Sequence, residues 1–349
     1  MVWFHHLSAM QHLILFSAIK IVCVFAIVLP AVAYAVLAER KICASIQDRL
    51  GPNRVGPGGL WQPLADGLKL FLKEDFVPAH VRKTYFWLAP MILMIPAFLV
   101  LAVIPFGSRL GGEKMVIADL NVGILYTFGI VSLGVYGIVL AGYASNSKYP
   151  FLGGIRSSAQ MISYEIAMGM SVIPLFLIVG DLNLGKVIQY QAEHGWLILY
   201  APLSFVIFMI SAFAETNRLP FDLPESEQEL VGGYNTEYSS MKFGLFFMGE
   251  YANMIAASAM MVTLFLGGWT LPVAGLNAPA DSILMGVAHI VIFLVKVAVL
   301  MGLFIWVRWM WPRFRYDQLM DLGWKRFMPV ALANIVATAL WLWLWGPTL

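Results

Sequence analysis

The sequence predicts an all-α integral membrane protein, with about eight transmembrane helices and an amphipathic helix on one membrane surface. Three observations predict it. Of 349 residues, 60% are hydrophobic and 12% charged, whereas a soluble domain carries about 25% charged residues. The apolar residues are gathered into runs, and a helix needs about 17–25 such residues to cross a bilayer. The lysines and arginines also collect on alternate connections, as they do in a polytopic chain.

Segments near 13–38, 86–106, 122–144, 161–179, 196–214, 243–269, 284–311 and 328–345 meet the length requirement. The first is not expected to be a cleaved leader: it lacks a basic start and runs into Glu39-Arg40-Lys41 without a small-residue cleavage site. Orientation follows from charge. One side carries Arg40, Lys41, Arg49, Arg54, Lys69, Lys73, Arg82 and Lys83 in its first connection and Arg308, Arg313, Arg315, Lys325 and Arg326 in its last. The opposite side has only Arg109, Lys114 and Lys186. Positive connections stay cytoplasmic, so both termini are expected outside. No internal repeat or linker is evident, which gives a single domain over 1–349 and argues against the paired-repeat transporter folds.

In LWQPLADGLKLFLK (60–73), Leu60, Leu64, Leu68 and Leu72 recur every four residues, Trp61 and Phe71 widen the stripe, and the other face is polar. That pattern is a helix lying in the membrane surface plane. It fits a simple anchor and a lid over a lipid-accessible opening equally well.

Composition also excludes functions. The net charge of +2 points to no nucleic acid partner. Cys23 and Cys43 are too few for an iron–sulfur cluster, which takes about four thiolates. On one helix they stand roughly 30 Å apart, at about 1.5 Å per residue, too far for a disulfide. The six histidines include no helical zinc spacing, and the His5–His6 doublet reads as interfacial. No nucleotide-binding glycine fingerprint occurs in a strand–helix context, and GPGG (56–59) reads as a bend. Redox cofactors, if this chain serves redox chemistry, belong to partner chains.

Charges inside the spans need an explanation, because each costs several kcal/mol unless paired or hydrated. Glu165 falls in the fourth span, Glu215 closes the fifth, Glu250 lies about two turns into the sixth, and Lys296 is near the middle of the seventh. They fit structural pairs or a hydrated proton route. The segment ETNRLPFDLPESEQELVGGYNTE (215–237) sets Glu215, Asp222, Glu225, Glu227, Glu229 and Glu237 against Arg218 alone. Its acids are interleaved with Pro220, Phe221, Leu223, Pro224, Leu230 and Tyr234, which predicts an ordered, partly buried segment. Clustered carboxylates cannot all ionise cheaply in low dielectric, so some hold protons. A charge store and a cation-binding loop both fit.

Four stretches resemble a known family. AERKICASIQDRLGPNRVGPGGLWQPLADGLKLFLKED (38–75) and AETNRLPFDLPESEQELVGGYNTEYSSMKFGLFFMGEYANM (214–254) are similar to two cytoplasmic connections of the quinone-site membrane subunit of respiratory complex I, called the H subunit or subunit 1. SNSKYPFLGGIRSSAQMISYEIA (145–167) and IWVRWMWPRFRYDQLM (305–320) match its other cytoplasmic connections, and the resemblance runs in order from about 30 to 330. It implies a chain that binds no redox cofactor alone and walls a chamber for ubiquinone or menaquinone. Partner subunits would hold the FMN and the iron–sulfur clusters. The implied partners are hydrophilic-arm quinone-site subunits, small membrane subunits, antiporter-like subunits and lipid. On matching positions, Glu39, Arg40, Arg49, Trp61, Phe246 or Phe247, Arg308 and Arg313 would border the chamber. Glu165, Glu215, Asp222, Glu225, Glu227, Glu229 and Glu250, with Lys296 in the seventh span, would form a path for protons. PFDLPE is bacterial in style, favouring a bacterial cytoplasmic membrane over a mitochondrial one. The other readings are a related subunit of a proton-reducing membrane-bound hydrogenase, an autonomous cation or proton transporter, and a scaffold that leaves the buried acids unexplained.

Overall fold

A computed structural model describes residues 9–222, 231–273 and 276–345. In chain order the helices are α1 (Ala9–Ile46), α2 (Gln62–Leu72), α3 (Lys83–Leu99), α4 (Gly123–Ala144), α5 (Lys148–Val179), α6 (Leu184–His194), α7 (Leu197–Tyr200), α8 (Pro202–Glu215), α9 (Ser240–Phe265), α10 (Ile283–Met310), α11 (Tyr316–Asp321) and α12 (Met328–Trp345). A π turn, Leu322–Phe327, joins α11 to α12. A short hairpin, β1 (Arg109–Leu110) and β2 (Glu113–Lys114), pairs Arg109 with Lys114.

Among the described residues seven helices are long and apolar enough to cross a membrane. The chain is an all-α, multi-pass membrane protein. The expected fifth span is not one continuous helix: it is broken into α7 and the 14-residue α8. Pro202 supplies the reason. It has no N–H to donate and disfavours the α conformation in the residue before it, and Ala201 sits outside the helix at φ −132°. The fourth span also starts earlier than apolarity suggests, because Lys148–Gln160 is helical and carries α5 beyond the expected boundary at 161.

α9 stands at the centre, packed against α1, α3, α8 and α10, while α5 packs on α4, α8 and α12. The outer faces of α1 and α12 remain apolar and exposed, as lipid-facing surfaces are. On the hairpin side, Asn183 caps α6 by accepting from the Gly185 and Lys186 amides and donates 2.8 Å to Asp119. Lys114 and Asn183 beside Asp119 hold its carboxyl below the usual carboxylate range.

α2 forms where the sequence predicts it. Leu64, Leu68, Phe71 and Leu72 are more than half exposed, so none of the described residues covers the apolar stripe. Gly56, Gly58 and Gly59 all take positive φ in the bend before it, which glycine adopts at least cost.

Candidate functional site

The connections on the α2 side converge on a cavity of about 300 Å³ between α1, α2 and α9. Its walls are apolar: Leu29, Val36 and Leu37 from α1, Leu70 from α2, Phe243 and Phe247 from α9. Polar groups gather at its rim, where Arg40, Gln62, Asp66 and Lys69 meet. α2 is fastened over it at its middle and at its C-terminal end. Arg40 donates 2.8 Å to Asp66 from the end of α1. The Ser240 hydroxyl reaches the Leu70 and Lys73 carbonyls from the start of α9, at 3.0 Å each.

Tyr251 lines this cavity and links it to a buried ion cluster. Its hydroxyl donates 2.7 Å to Glu39. The same carboxylate accepts from Arg218 at 3.1 and 3.3 Å and from Arg308. The Arg218 guanidinium lies over the Tyr251 ring, 4.3 Å from its centroid. Glu39 and Arg218 are each only 6% exposed. Burial of both charges is tolerable because each has a direct partner; an isolated ion here costs several kcal/mol. Glu250, 8% exposed, accepts 3.0 Å from Tyr234 and acts electrostatically on Arg218.

The backbone that carries Arg218 is fixed from α5. Gln160, fully buried, donates 2.8 Å to both the Ala214 and Phe221 carbonyls, bracketing the turn after α8. Gly153 on the same helix allows the turn bearing Tyr234 to touch α5: a side chain there would stand 2.8 Å from Gly233 Cα.

The predicted residues divide into groups. Glu39 and Arg308 meet in the ion cluster, Arg40 and Phe247 line the cavity, and Glu250 borders the cluster. Phe246 faces away, packed among Tyr234, Tyr238 and Phe86. Arg313 pairs with Asp222 at 3.1 Å. Arg49 is exposed and bonded to Gln47, and Trp61 is exposed at the start of α2. Glu215 lines a separate cavity of about 40 Å³ with Thr127, Thr216 and Asn253, and Glu165 is near enough for the two charges to interact. Among the described residues, the hydrogen-bond partners of Lys296 are backbone carbonyls. Its ammonium donates to the Leu266, Gly268 and Thr270 carbonyls at 2.6, 3.0 and 2.6 Å. Glu225, Glu227 and Glu229 lie outside the described residues.

Sequence reasoning missed the importance of Arg218, Tyr251, Tyr234 and Gln160. The available signal was the single arginine within an acidic, apolar-studded segment, and a tyrosine directly after Glu250. Among the described residues no group of three or more His, Cys, Asp or Glu could hold a metal.

The family model described as NADH dehydrogenase matches residues 19–339. The NADH-quinone oxidoreductase H subunit 1 of Cytophaga hutchinsonii is 50% identical over 329 residues, covering 92% of this chain and 95% of its own. This chain belongs to the family of NADH-quinone oxidoreductase H subunits. The H subunit of Rhodospirillum rubrum is 51% identical over 317 residues, covering 90% of this chain and 91% of its own. The NADH-quinone oxidoreductase subunit 8 of Rhodothermus marinus is 51% identical over 314 residues, covering 87% of this chain and 91% of its own. Membership in the H-subunit family makes the chain one membrane subunit of an oxidoreductase complex, with partner subunits of that complex around it. It implies no redox cofactor on this chain.

Proposed function

We propose that the chain forms the membrane wall of the quinone chamber and couples quinone reduction to proton translocation. The observation that carries this reading is the apolar cavity under α2, which ends at Tyr251 and therefore at the Glu39–Arg218–Arg308 cluster. An isoprenoid tail requires apolar walls and a route from lipid. A headgroup gaining electrons requires cations nearby, because they stabilise developing negative charge. The cavity supplies the first requirement and the arginines the second.

In this reading ubiquinone or menaquinone enters beneath α2 from the bilayer of a bacterial cytoplasmic membrane. The positive connections face the cytoplasm and both termini face outward. Hydrophilic-arm subunits would complete the chamber, and the FMN and iron–sulfur clusters they hold would supply the two electrons, one at a time. Two protons convert the reduced quinone to quinol. Negative charge on the headgroup competes with Glu39 for Arg218 and Arg308, and the freed carboxylate becomes a better proton acceptor. Glu250, Glu215 and Glu165, with Asp222, Glu225, Glu227 and Glu229, then pass the change in protonation towards small and antiporter-like membrane subunits. The cavity beside Glu215 is large enough for water, which needs about 10–15 Å³ and polar partners. Lys296 belongs to this path only if it leaves its three carbonyls.

Gly244 provides a direct test. It lines the cavity, and a Cβ there would approach Leu70 Cδ1 to 3.1 Å. Gly244→Phe should plug the space between α2 and α9. The expected result is a KM for long-tailed quinone raised about tenfold or more, with the complex assembled and a tail-less analogue much less affected. An unchanged KM for the long-tailed substrate would remove the cavity from the quinone route.

A further inference from the structure

A second large cavity, about 350 Å³, lies in the opposite half of the molecule from α2, in a groove between α1, α9 and α10. Its walls are almost wholly apolar, and ligand pockets typically begin near this size, at about 300 Å³. Three charged or titratable groups gather at this end of α1. Lys20 and Glu113 line the cavity, and His12 lies two turns earlier on α1. Glu113 is carried by β2, held across from α1 because the hairpin backbone rests on the first turn of α10. A side chain at Gly286 would stand 2.3 Å from the Arg109 carbonyl. The ion pairs are open ones: Lys20–Glu113 is 3.7 Å and His12–Glu113 is 3.8 Å, beyond the 2.7–3.2 Å of a direct hydrogen bond. Polar atoms of a third group can bridge them.

An apolar slot with both charge signs at its mouth matches a zwitterionic lipid. We propose that this groove binds one phosphatidylethanolamine molecule of the leaflet opposite α2. One acyl chain lies in the slot, Lys20 and His12 donate to the phosphate, and Glu113 accepts from the ethanolamine ammonium. The lipid would fill the gap between α1 and the rest of the bundle, a helix otherwise largely exposed along its outer half.

Cys23 lines the slot and is exposed, whereas Cys43 is buried, so alkylation of Cys23 reports occupancy. The delipidated complex is titrated with phosphatidylethanolamine, phosphatidylcholine or phosphatidylglycerol, and N-ethylmaleimide labelling of the Cys23 peptide is followed by mass spectrometry. Phosphatidylethanolamine is expected to slow labelling about tenfold relative to phosphatidylglycerol at equal concentration, the worth of one charge-assisted contact. Glu113→Gln should abolish or reverse that preference. Equal protection by all three lipids in the wild-type complex would overturn the proposal, and that comparison needs no variant. Protection by a long-tailed quinone but not by phosphatidylethanolamine would overturn it too, assigning the slot to quinone.

Discussion

Replacing Arg218 with methionine is expected to destabilise the chain by about 1–3 kcal/mol, because Glu39 loses one buried charged partner while keeping Arg308 and Tyr251. Arg218 and Glu39 are both almost fully enclosed, so solvent cannot compensate. The readout is the amount of assembled complex in the membrane and its thermal stability after purification, and both should fall sharply. Arg218→Lys should recover only part of the loss: lysine restores the charge but not the planar fork that reaches Glu39 while lying over Tyr251. The decisive comparison is the double variant Glu39→Gln with Arg218→Met. Residues in one ion network are not additive, so the pair removed together should cost less than Arg218→Met alone. Full additivity would mean that the two side chains do not depend on each other.

The second large effect is on activity. Glu215→Gln should lower quinone reductase activity coupled to proton translocation by about a hundredfold, the scale of one lost proton-transfer group. The complex should remain assembled, since glutamine keeps the size of the side chain beside its small cavity. Glu165→Gln should act in the same direction, and the two together should cost little more than one, because a broken relay is broken once. Wild-type rates of reduction and pumping in the assembled Glu215→Gln complex would take this carboxylate off the path.

Much of the fold was legible in the sequence because a bilayer enforces it. Backbone polar groups must be satisfied within each segment, so apolar length alone marks a spanning helix. The stripe of Leu64, Leu68 and Leu72 likewise fixed α2, since the pattern leaves that face nowhere to go but lipid. The fifth span departs from expectation where hydropathy and backbone chemistry conflict: 197–214 is apolar almost throughout, but Pro202 interrupts it. The early start of α5 was hidden for the converse reason. Its first turns carry Lys148, Arg156 and Ser157, which look like a connection and nevertheless continue the helix.

The candidate site was legible as composition and illegible as geometry. Phe246 and Phe247 are neighbours in sequence, yet about 100° apart around the helix. Only Phe247 shares a face with Phe243 and Tyr251 at the cavity. Glu39 and Arg218 are separated by 179 positions, and nothing local announces that the arginine turns inward to meet α1. A charge count could register Arg218 as the lone base in an acidic segment; it could not identify the acid it serves. Lys296 shows the same limit in reverse. Its mid-span position is plain in the sequence, but that its ammonium donates to three carbonyls just beyond the end of α9 is not.

The most direct test of the proposed quinone chamber is photo-crosslinking of bacterial membranes containing the intact complex with an azido-quinone, with and without a competitive quinone-site inhibitor. Labelled peptides are mapped by mass spectrometry. Inhibitor-sensitive label is expected within 29–40, 62–70 or 243–251, the α1, α2 and α9 walls of the cavity. An intact, active complex that takes inhibitor-sensitive label only on its partner subunits would contradict a quinone route through this chain.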